Sequence, residues 1–334
     1  MPPSPRGESA ARFSAVADQG HRFLPSYLPL LESGTLTARV RRSFELLAAC
    51  ELCPRCCGAN RLDDERGACQ TGLLPIVASY GPHFGEEEPL VGSGGSGTIF
   101  FGGCNLNCTY CQNYDISQLA EGEETKPHEL AGMMLELQAR GCHNVNLVSP
   151  THVVPQALAA VALAAQSGLR LPIVYNTGGY DAPRTMRLLD GVVDIYMPDA
   201  KYAKSDVAGR LSGIRRYAAV NRAMIREAHR QVGALRLGEA GVAERGLLVR
   251  HLVLPNGLAG SEDVLAFLAR EVSIHTYVNV MDQYRPCYRA SRDALLARRP
   301  TREEYRHALD AALAVGLYRL DGYHQENPRA DFPR

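Results

Sequence analysis

Between residues 98 and 281, short apolar runs of β character alternate with stretches of helical periodicity, and this alternation limits the fold more than any other property of the chain. The β-type runs are 98–102, 144–149, 172–176, 193–197, 247–254 and 275–281. Between and after them, Leu130, Met133, Met134 and Leu137 recur at helical spacing, as do Val154, Leu158, Val161 and Ala165. Tyr305, Ala308, Leu309 and Ala312 continue the pattern behind Thr301 and Glu304, a capping-box arrangement. Strands that alternate with helices argue for a parallel sheet with helices outside. Six such units predict an α/β chain folded as a partial (β/α)6 TIM-like barrel.

The first run leads directly into GTIFFGGCNLNCTYCQN, where Cys104, Cys108 and Cys111 have C-x3-C-x2-C spacing. An iron-sulfur cube is normally held by four thiolates, so three in one tight loop bind three irons and leave the fourth open to a substrate. Catalytic zinc sites follow the same logic of a withheld ligand. A structural zinc would need a fourth ligand close by, yet the next candidates, His128 and Cys142, lie beyond a predicted helix start. Gly102 and Gly103 permit the sharp exit from the strand.

Upstream, Leu36, Val40, Phe44 and Leu47 predict a helix running into CELCPRCCGANRLDDERGAC. There Cys50, Cys53, Cys57 and Cys69 have C-x2-C-x3-C-x11-C spacing, with Cys56 as an extra thiol. Four thiolates within twenty residues predict a second, closed metal site, for which zinc and a 4Fe-4S cluster are both compatible. The N-terminus lacks the apolar segment of an export signal, so the ten cysteines read as reduced thiolates in a cytoplasmic protein. Lys and Arg balance Asp and Glu at 36 each, which leaves no global positive field for nucleic acid. No apolar run approaches the roughly eighteen residues of a membrane span.

These readings divide the chain into a disordered tail (1–20), a helical and Cys-rich metal-binding N-terminal extension (21–91), the barrel (92–325) and a C-terminal tail (326–334). Ahead of the first strand, Gly92, Gly94 and Gly97 match G-x-G-x-x-G, but they precede a strand instead of following one into a helix, so a dinucleotide site is not expected. The segment reads as a flexible approach, with Glu86, Glu87 and Glu88 as a solvated acidic loop.

The cysteine loop resembles the signature of the radical S-adenosylmethionine (SAM) superfamily, and its Cys111-Gln112-Asn113 ending is similar to the branch of pyruvate formate-lyase activating enzymes and their uncharacterised relatives. The resemblance implies an oxidoreductase-like radical SAM enzyme with a 4Fe-4S cluster on Cys104, Cys108 and Cys111. Such an enzyme cleaves SAM reductively to a 5'-deoxyadenosyl radical and abstracts hydrogen from a substrate. The partners implied are SAM, a flavodoxin- or ferredoxin-type reductant and a glycyl radical protein, although a small-molecule substrate is equally compatible. The competing class is a non-catalytic iron-sulfur or zinc protein serving electron transfer or assembly, which would hold metal without cleaving SAM.

Ligands in parallel α/β folds bind beyond the carboxyl ends of the strands, and here those ends are polar. Tyr110 places an aromatic ring beside the expected cluster and adenine. After the second strand, Ser149 and Thr151 replace the Gly-Gly-Glu run with which many radical SAM enzymes hold the SAM amino group, and His152 follows, open equally to a rim or capping place and to a functional role. After the third, Asn176, Thr177 and Gly178 resemble the Thr-Asn-Gly region that approaches SAM. After the fourth, Asp199 and Lys201 resemble the Asp-x-Lys element that contacts it. On the fifth, strand alternation sends Arg250 and His251 to opposite faces, and Arg250 is assigned to the lumen, to hold the SAM carboxylate or polarise substrate. Met281, Gln283 and Tyr284 close the mouth after the sixth.

Overall fold

The computed structural model describes residues 23–323, and the tails expected at 1–20 and 326–334 lie outside them. The described residues begin with α1 (Tyr27–Glu32) and α2 (Thr35–Glu45), where Leu36 is buried as the helical spacing requires. After the Cys-rich segment come β1 (Ile76–His83), α3 (Glu88–Val91), β2 (Ser96–Phe101), α4 (Tyr114–Leu119) and β3 (Glu123–Glu124). Strands and helices then alternate: α5 (Pro127–Ala139), β4 (Val145–Val148), α6 (Val154–Gln166), β5 (Ile173–Thr177), α7 (Pro183–Leu189) and β6 (Ile195–Pro198). The remainder comprises α8 (Ser205–Ser212), α9 (Tyr217–Val232), β7 (Arg236–Leu237), β8 (Ala243–Leu252), α10 (Ser261–Phe267), β9 (Tyr277–Met281) and α11 (Arg302–Ala314).

The strands β2, β4, β5, β6, β8 and β9 run in sequence order, each parallel to the next, and they coincide with the six runs read from the sequence. The result is an α/β fold with a mixed sheet, consistent with a partial barrel. Alternate residues face opposite sides of each strand. Ile99, Leu147, Tyr175, Tyr196, Val249 and Val278 pack outward under the helices, whereas Val174, Ile195, Met197 and Leu248 form a separate inward cluster closed by Leu90. Each such aliphatic side chain contributes about 1.5–3 kcal/mol on full burial. The last helix starts as the sequence dictates: Thr301 Oγ1 accepts from Glu304 N at 3.1 Å, and Thr301 N donates to Glu304 Oε2 at 2.7 Å.

Two features depart from the sequence reading. Strand β1, which falls inside the expected extension, pairs antiparallel with β2 from Val77↔Phe101 to His83↔Ser96, so the boundary at 91/92 does not divide the sheet. The acidic segment after β1 is not a solvated loop either. It folds back under the N-terminal ends of the parallel strands, Leu90 is fully buried, and Glu87 is 4% exposed with Asn279 Nδ2 donating to its Oε1 at 3.0 Å. Covering the apolar floor of the sheet carries Glu87 inward along with Leu90, while Glu88 stays exposed. No helix among the described residues is long and apolar enough to cross a membrane.

Candidate functional site

The cysteine loop leaves β2 through Gly103, whose φ of +78° favours glycine. Its backbone is then pinned to neighbouring elements: Gly103 N donates to Ile116 O at 2.9 Å, Asn107 N to Ser212 O at 3.2 Å and Thr109 N to Leu211 O at 2.8 Å. Cys108 Sγ lies 3.0 Å from Ser212 Oγ, and Cys111 Sγ lies 3.0 Å from Ser117 Oγ on α4. Burial pushes the Cys104 thiol up to about 12, with the neighbouring Cys108 and Cys111 thiols adding to the shift. Burial also raises Cys108, against the pull of the Lys201 ammonium. Thiols crowded together and desolvated in this way are poor free acids, and metal coordination is the chemistry that ionises them.

Facing the loop is a charged lattice at the strand ends. Arg250 Nε donates to Asp199 Oδ1 at 2.9 Å and its Nη2 to Asn176 Oδ1 at 2.6 Å, while Lys201 Nζ donates to Asp199 Oδ2 at 2.5 Å. Burial would raise the Asp199 carboxyl, but Arg250 and Lys201 together hold it below the usual range. The Glu86 carboxylate lies 3.9 Å from Arg250 Nη1. His251 points the other way, with Nδ1 2.6 Å from Ala200 O and Nε2 2.8 Å from Ser261 Oγ, so alternation sorts this pair as expected. A cavity of about 180 Å³ opens between the loop and the lattice, lined by Cys108, Cys111, Asp199, Lys201, Arg250 and Met281 among others. Tyr110 also lines it, held by the Tyr202 hydroxyl at 2.7 Å and by an edge contact with Tyr284 at 5.8 Å. Gln283 reaches the mouth, whereas Tyr284 is buried behind Tyr110. Gly178 approaches the loop so closely that a Cβ there would lie 2.8 Å from Leu106 Cδ1.

Not every expected residue presents its side chain at the mouth. Thr151 and Thr177 donate to opposite oxygens of Asp181, each at 2.7 Å, and Tyr175 OH adds a third donor at 2.8 Å. The reason is again alternation: Asn176 points inward, so Thr177 points outward with Tyr175. Asp181 is 1% exposed and was invisible in the sequence, where a lone Asp four residues past a strand carries no signal. Ser149 sits at the tip of β4 with φ +59°, its N–H bonded to Asn176 O at 2.8 Å. His152 is a buried neighbour of the cysteine loop, its Nε2 2.8 Å from Gly102 O, and burial lowers its pKa to about 4.

The upstream cysteines lie near enough to one another to interact electrostatically. Burial pushes Cys53 up to about 12, and the thiols of Cys69, Cys50 and Cys57 all add to the shift. Gly67 makes room for them, since a Cβ there would lie 2.5 Å from Cys57 Sγ. The guanidinium of Arg61 is fully buried beside them, 4.0 Å from Cys50 Sγ, donating to Gly72 O at 2.9 Å and His152 O at 2.7 Å. Its Nη2 has no hydrogen-bond partner and the group has no ion-paired carboxylate among the described residues. A buried, uncompensated cation is costly, and a thiolate-ligated metal would supply the missing anion. Both sets offer donors of the type that metal-thiolate chemistry uses. Among the described residues no three or more His, Cys, Asp or Glu side chains stand close enough to hold one metal ion.

The two clusters touch. Arg55 Nε donates to Asn105 O at 2.6 Å, and Gly103 packs on the Cys69 carbonyl so tightly that a Cβ would come within 2.3 Å of it.

Residues 98–237 match the Radical SAM superfamily, and an uncharacterised protein of Methanocaldococcus jannaschii is 32% identical over 304 residues, covering 87% of this chain and 82% of the relative. The chain contains a radical SAM superfamily domain. Radical SAM enzymes generally use a 4Fe-4S cluster, SAM and a reductant, and the matched segment contains the whole cysteine loop, Asn176, Asp199 and Lys201. Among solved structures, a crystal structure of HydG, a maturase of the FeFe-hydrogenase, aligns with a TM-score of 0.47 and 11% identity over 65% of this chain, which spans 48% of HydG.

Proposed function

We propose that this radical SAM enzyme holds its catalytic 4Fe-4S cluster on Cys104, Cys108 and Cys111 and binds SAM in the cavity between that loop and the Asp199–Lys201–Arg250 lattice. The observation that carries the reading is the lattice itself: two half-buried cations sharing one carboxylate beside Cys108 at the open end of parallel strands. When bound, the cluster supplies the electron that cleaves SAM to methionine and a 5'-deoxyadenosyl radical. The residues of the chain bind and orient. Lys201 and Arg250 pair with the methionine carboxylate of SAM, Asp199 and Asn176 fix their direction, and Tyr110 borders the adenine. Ser149 and Gly178 offer backbone at the rim, while Thr151 and Thr177 act through Asp181, which braces the turns carrying them. The Cys50, Cys53, Cys57 and Cys69 site holds a second 4Fe-4S cluster whose negative charge is balanced by Arg61.

The motif resemblance to the activating-enzyme branch makes a glycyl radical protein the substrate to test first, by following deuterium from its glycine into 5'-deoxyadenosine. Anaerobic reconstitution with dithionite and SAM is expected to release 5'-deoxyadenosine, and Cys108→Ala is expected to abolish it. Unchanged turnover in that variant refutes the site. Iron analysis separates the two centres: the second cluster predicts about eight irons per chain instead of about four.

A further inference from the structure

The barrel is open on one side. Strand β9 pairs with β8, and among the described residues no pairing joins it to β1 or β2, so the sheet does not close on itself. The inward face of β9 is accordingly half-buried at Tyr277, Asn279 and Met281, whereas its outward Val278 and Val280 are buried. The segment that follows β1 crosses the bottom of this opening. Its Glu86 carboxylate lies 3.9 Å from Arg250 Nη1 and 3.5 Å from His83 Nδ1. Glu87 accepts from Asn279 Nδ2 through Oε1, but its Oε2 is buried with no hydrogen-bond partner among the described residues. A second acceptor is orphaned on the inward face of the sheet. Asn146, fully buried between the outward Val145 and Leu147, spends its Nδ2 on Ser96 Oγ and leaves its Oδ1 unpaired. Folded proteins seldom leave buried acceptors without donors. The charges do not balance either: Asp199, Glu86 and Glu87 all draw on the same two permanent cations, Lys201 and Arg250, which leaves one negative charge over.

Resting on the reading of the SAM site given above, we propose that Glu86 and Glu87 anchor the substrate at the open side of the barrel, and that the group they take is a positively charged nitrogen, an alkylammonium or a guanidinium. Three observations select that chemistry. The surplus charge is negative. The orphaned groups are both acceptors, which a cation rich in N–H donors satisfies. No three His, Cys, Asp or Glu side chains stand close enough among the described residues to chelate a metal ion, so the missing counter-charge is an organic one. The walls of the opening suit the rest of such a molecule. Phe100 faces inward from β2, between the outward Ile99 and Phe101, with its ring 6.2 Å from that of His83. Opposite, Met281 of β9 also lines the cavity of about 180 Å³ beside Cys108 and Cys111. A cation held at Glu86 and Glu87 therefore directs its carbon chain along apolar walls toward the cavity in which the proposed function places SAM. Arg250 stands between the two ends, with Nη1 toward Glu86 and with Nε and Nη2 on Asp199 and Asn176.

The test measures which charge the open side prefers and needs no turnover. Butylammonium, butylguanidinium and uncharged n-butanol are titrated into the reconstituted full-length protein, with and without SAM and in the absence of reductant, and binding is read by saturation-transfer NMR. Each cation is expected to bind at least about tenfold more tightly than n-butanol, the preference that one charge-assisted hydrogen bond confers. Glu87→Gln keeps the shape of the side chain and removes its charge, and it is expected to cut that preference about tenfold, while Glu87→Asp retains part of it. Glu86→Gln, at a carboxylate nearer to solvent, gives the same reading where the buried substitution does not fold. The inference is overturned if the cations bind no better than n-butanol to the wild type. It is equally overturned if the glutamine variants keep the preference, or if they weaken cation and alcohol alike. An acetylated, amidated pentapeptide with one central arginine, set against its norleucine counterpart, separates the two sources of the cation. Tighter binding of the arginine peptide than of butylguanidinium, with the same dependence on Glu87, assigns the group to a polypeptide side chain, and weaker or equal binding assigns it to a small molecule. The preference is also read without SAM, so a protein that neither binds nor cleaves SAM refutes the proposed function and still tests the anchor.

Discussion

Replacing His152 by glutamine isolates one buried titration and tests how tightly the cysteine loop is packed against the barrel. The ring is 2% exposed, and its pKa falls from 6.5 to about 4, chiefly through burial, with the Arg61 cation adding to the effect and the bond to Gly102 O opposing it. For a histidine with a depressed folded pKa, the unfolded chain binds more protons between the two values. Its contribution to stability is therefore fully present above pH 6.5 and is lost as the pH falls toward 4. Linkage between pKa values of 6.5 and 4 gives a loss of about 2 kcal/mol at pH 5 and about 3.4 kcal/mol well below pH 4. Glutamine keeps a donor for the Gly102 carbonyl and cannot titrate. Other shifted groups, including Asp194 and Asp321, both raised to about 6 by burial, are common to the two proteins and cancel in the difference. Urea unfolding at pH 7.5 and pH 5.0 should therefore show the wild type losing about 2 kcal/mol more than His152→Gln across that interval. Equal losses in both proteins would refute the claim that His152 is buried in its neutral form against the loop.

Gly103→Ala places a Cβ 2.3 Å from the Cys69 carbonyl at a residue with φ +78°. The left-handed backbone and the clash together cost about 2–5 kcal/mol, and iron content should fall at both cysteine sites because one backbone contact positions both. Thr301→Ala removes the cap of α11 and should cost about 1 kcal/mol in urea unfolding while leaving the yield of 5'-deoxyadenosine unchanged.

The parts of the fold that were legible in the sequence are those where one physical rule dominates. The six parallel strands are buried on both faces and flanked by amphipathic helices, so their apolar runs and the intervening helical spacing stand out. Arg250 and His251 were sorted by alternation alone, and the same rule misplaced nothing where it was applied. It was not applied to Asn176 and Thr177, and there the sequence reading grouped two residues that face opposite ways. Asp181 escaped notice because a buried carboxylate held by three hydroxyl groups depends on contacts 4, 6 and 30 residues away. The acidic run at Glu86 to Glu88 misled for a different reason. Local composition favours water, and only the tertiary need to close the sheet floor brings Glu87 inside. Strand β1 is not marked in the sequence, where Gly81 and Pro82 break the β character of the run, yet both pair with β2 at the margin of the sheet, where a proline without an N–H is tolerated.

That marginal strand also determines where the chain can be cut. β1 occupies the outer hydrogen-bonding edge of β2 along six paired positions, and β3 covers the start of β1 in turn. A polypeptide begun at residue 92, which would keep every one of the six parallel strands, would present the backbone of Ser96–Phe101 bare to solvent. Such an edge recruits a strand from another copy, and the product is aggregate. The N-terminal region is thus a seal on the barrel as well as a carrier of cysteines, and a trimmed version intended for solution work has to start ahead of Ile76.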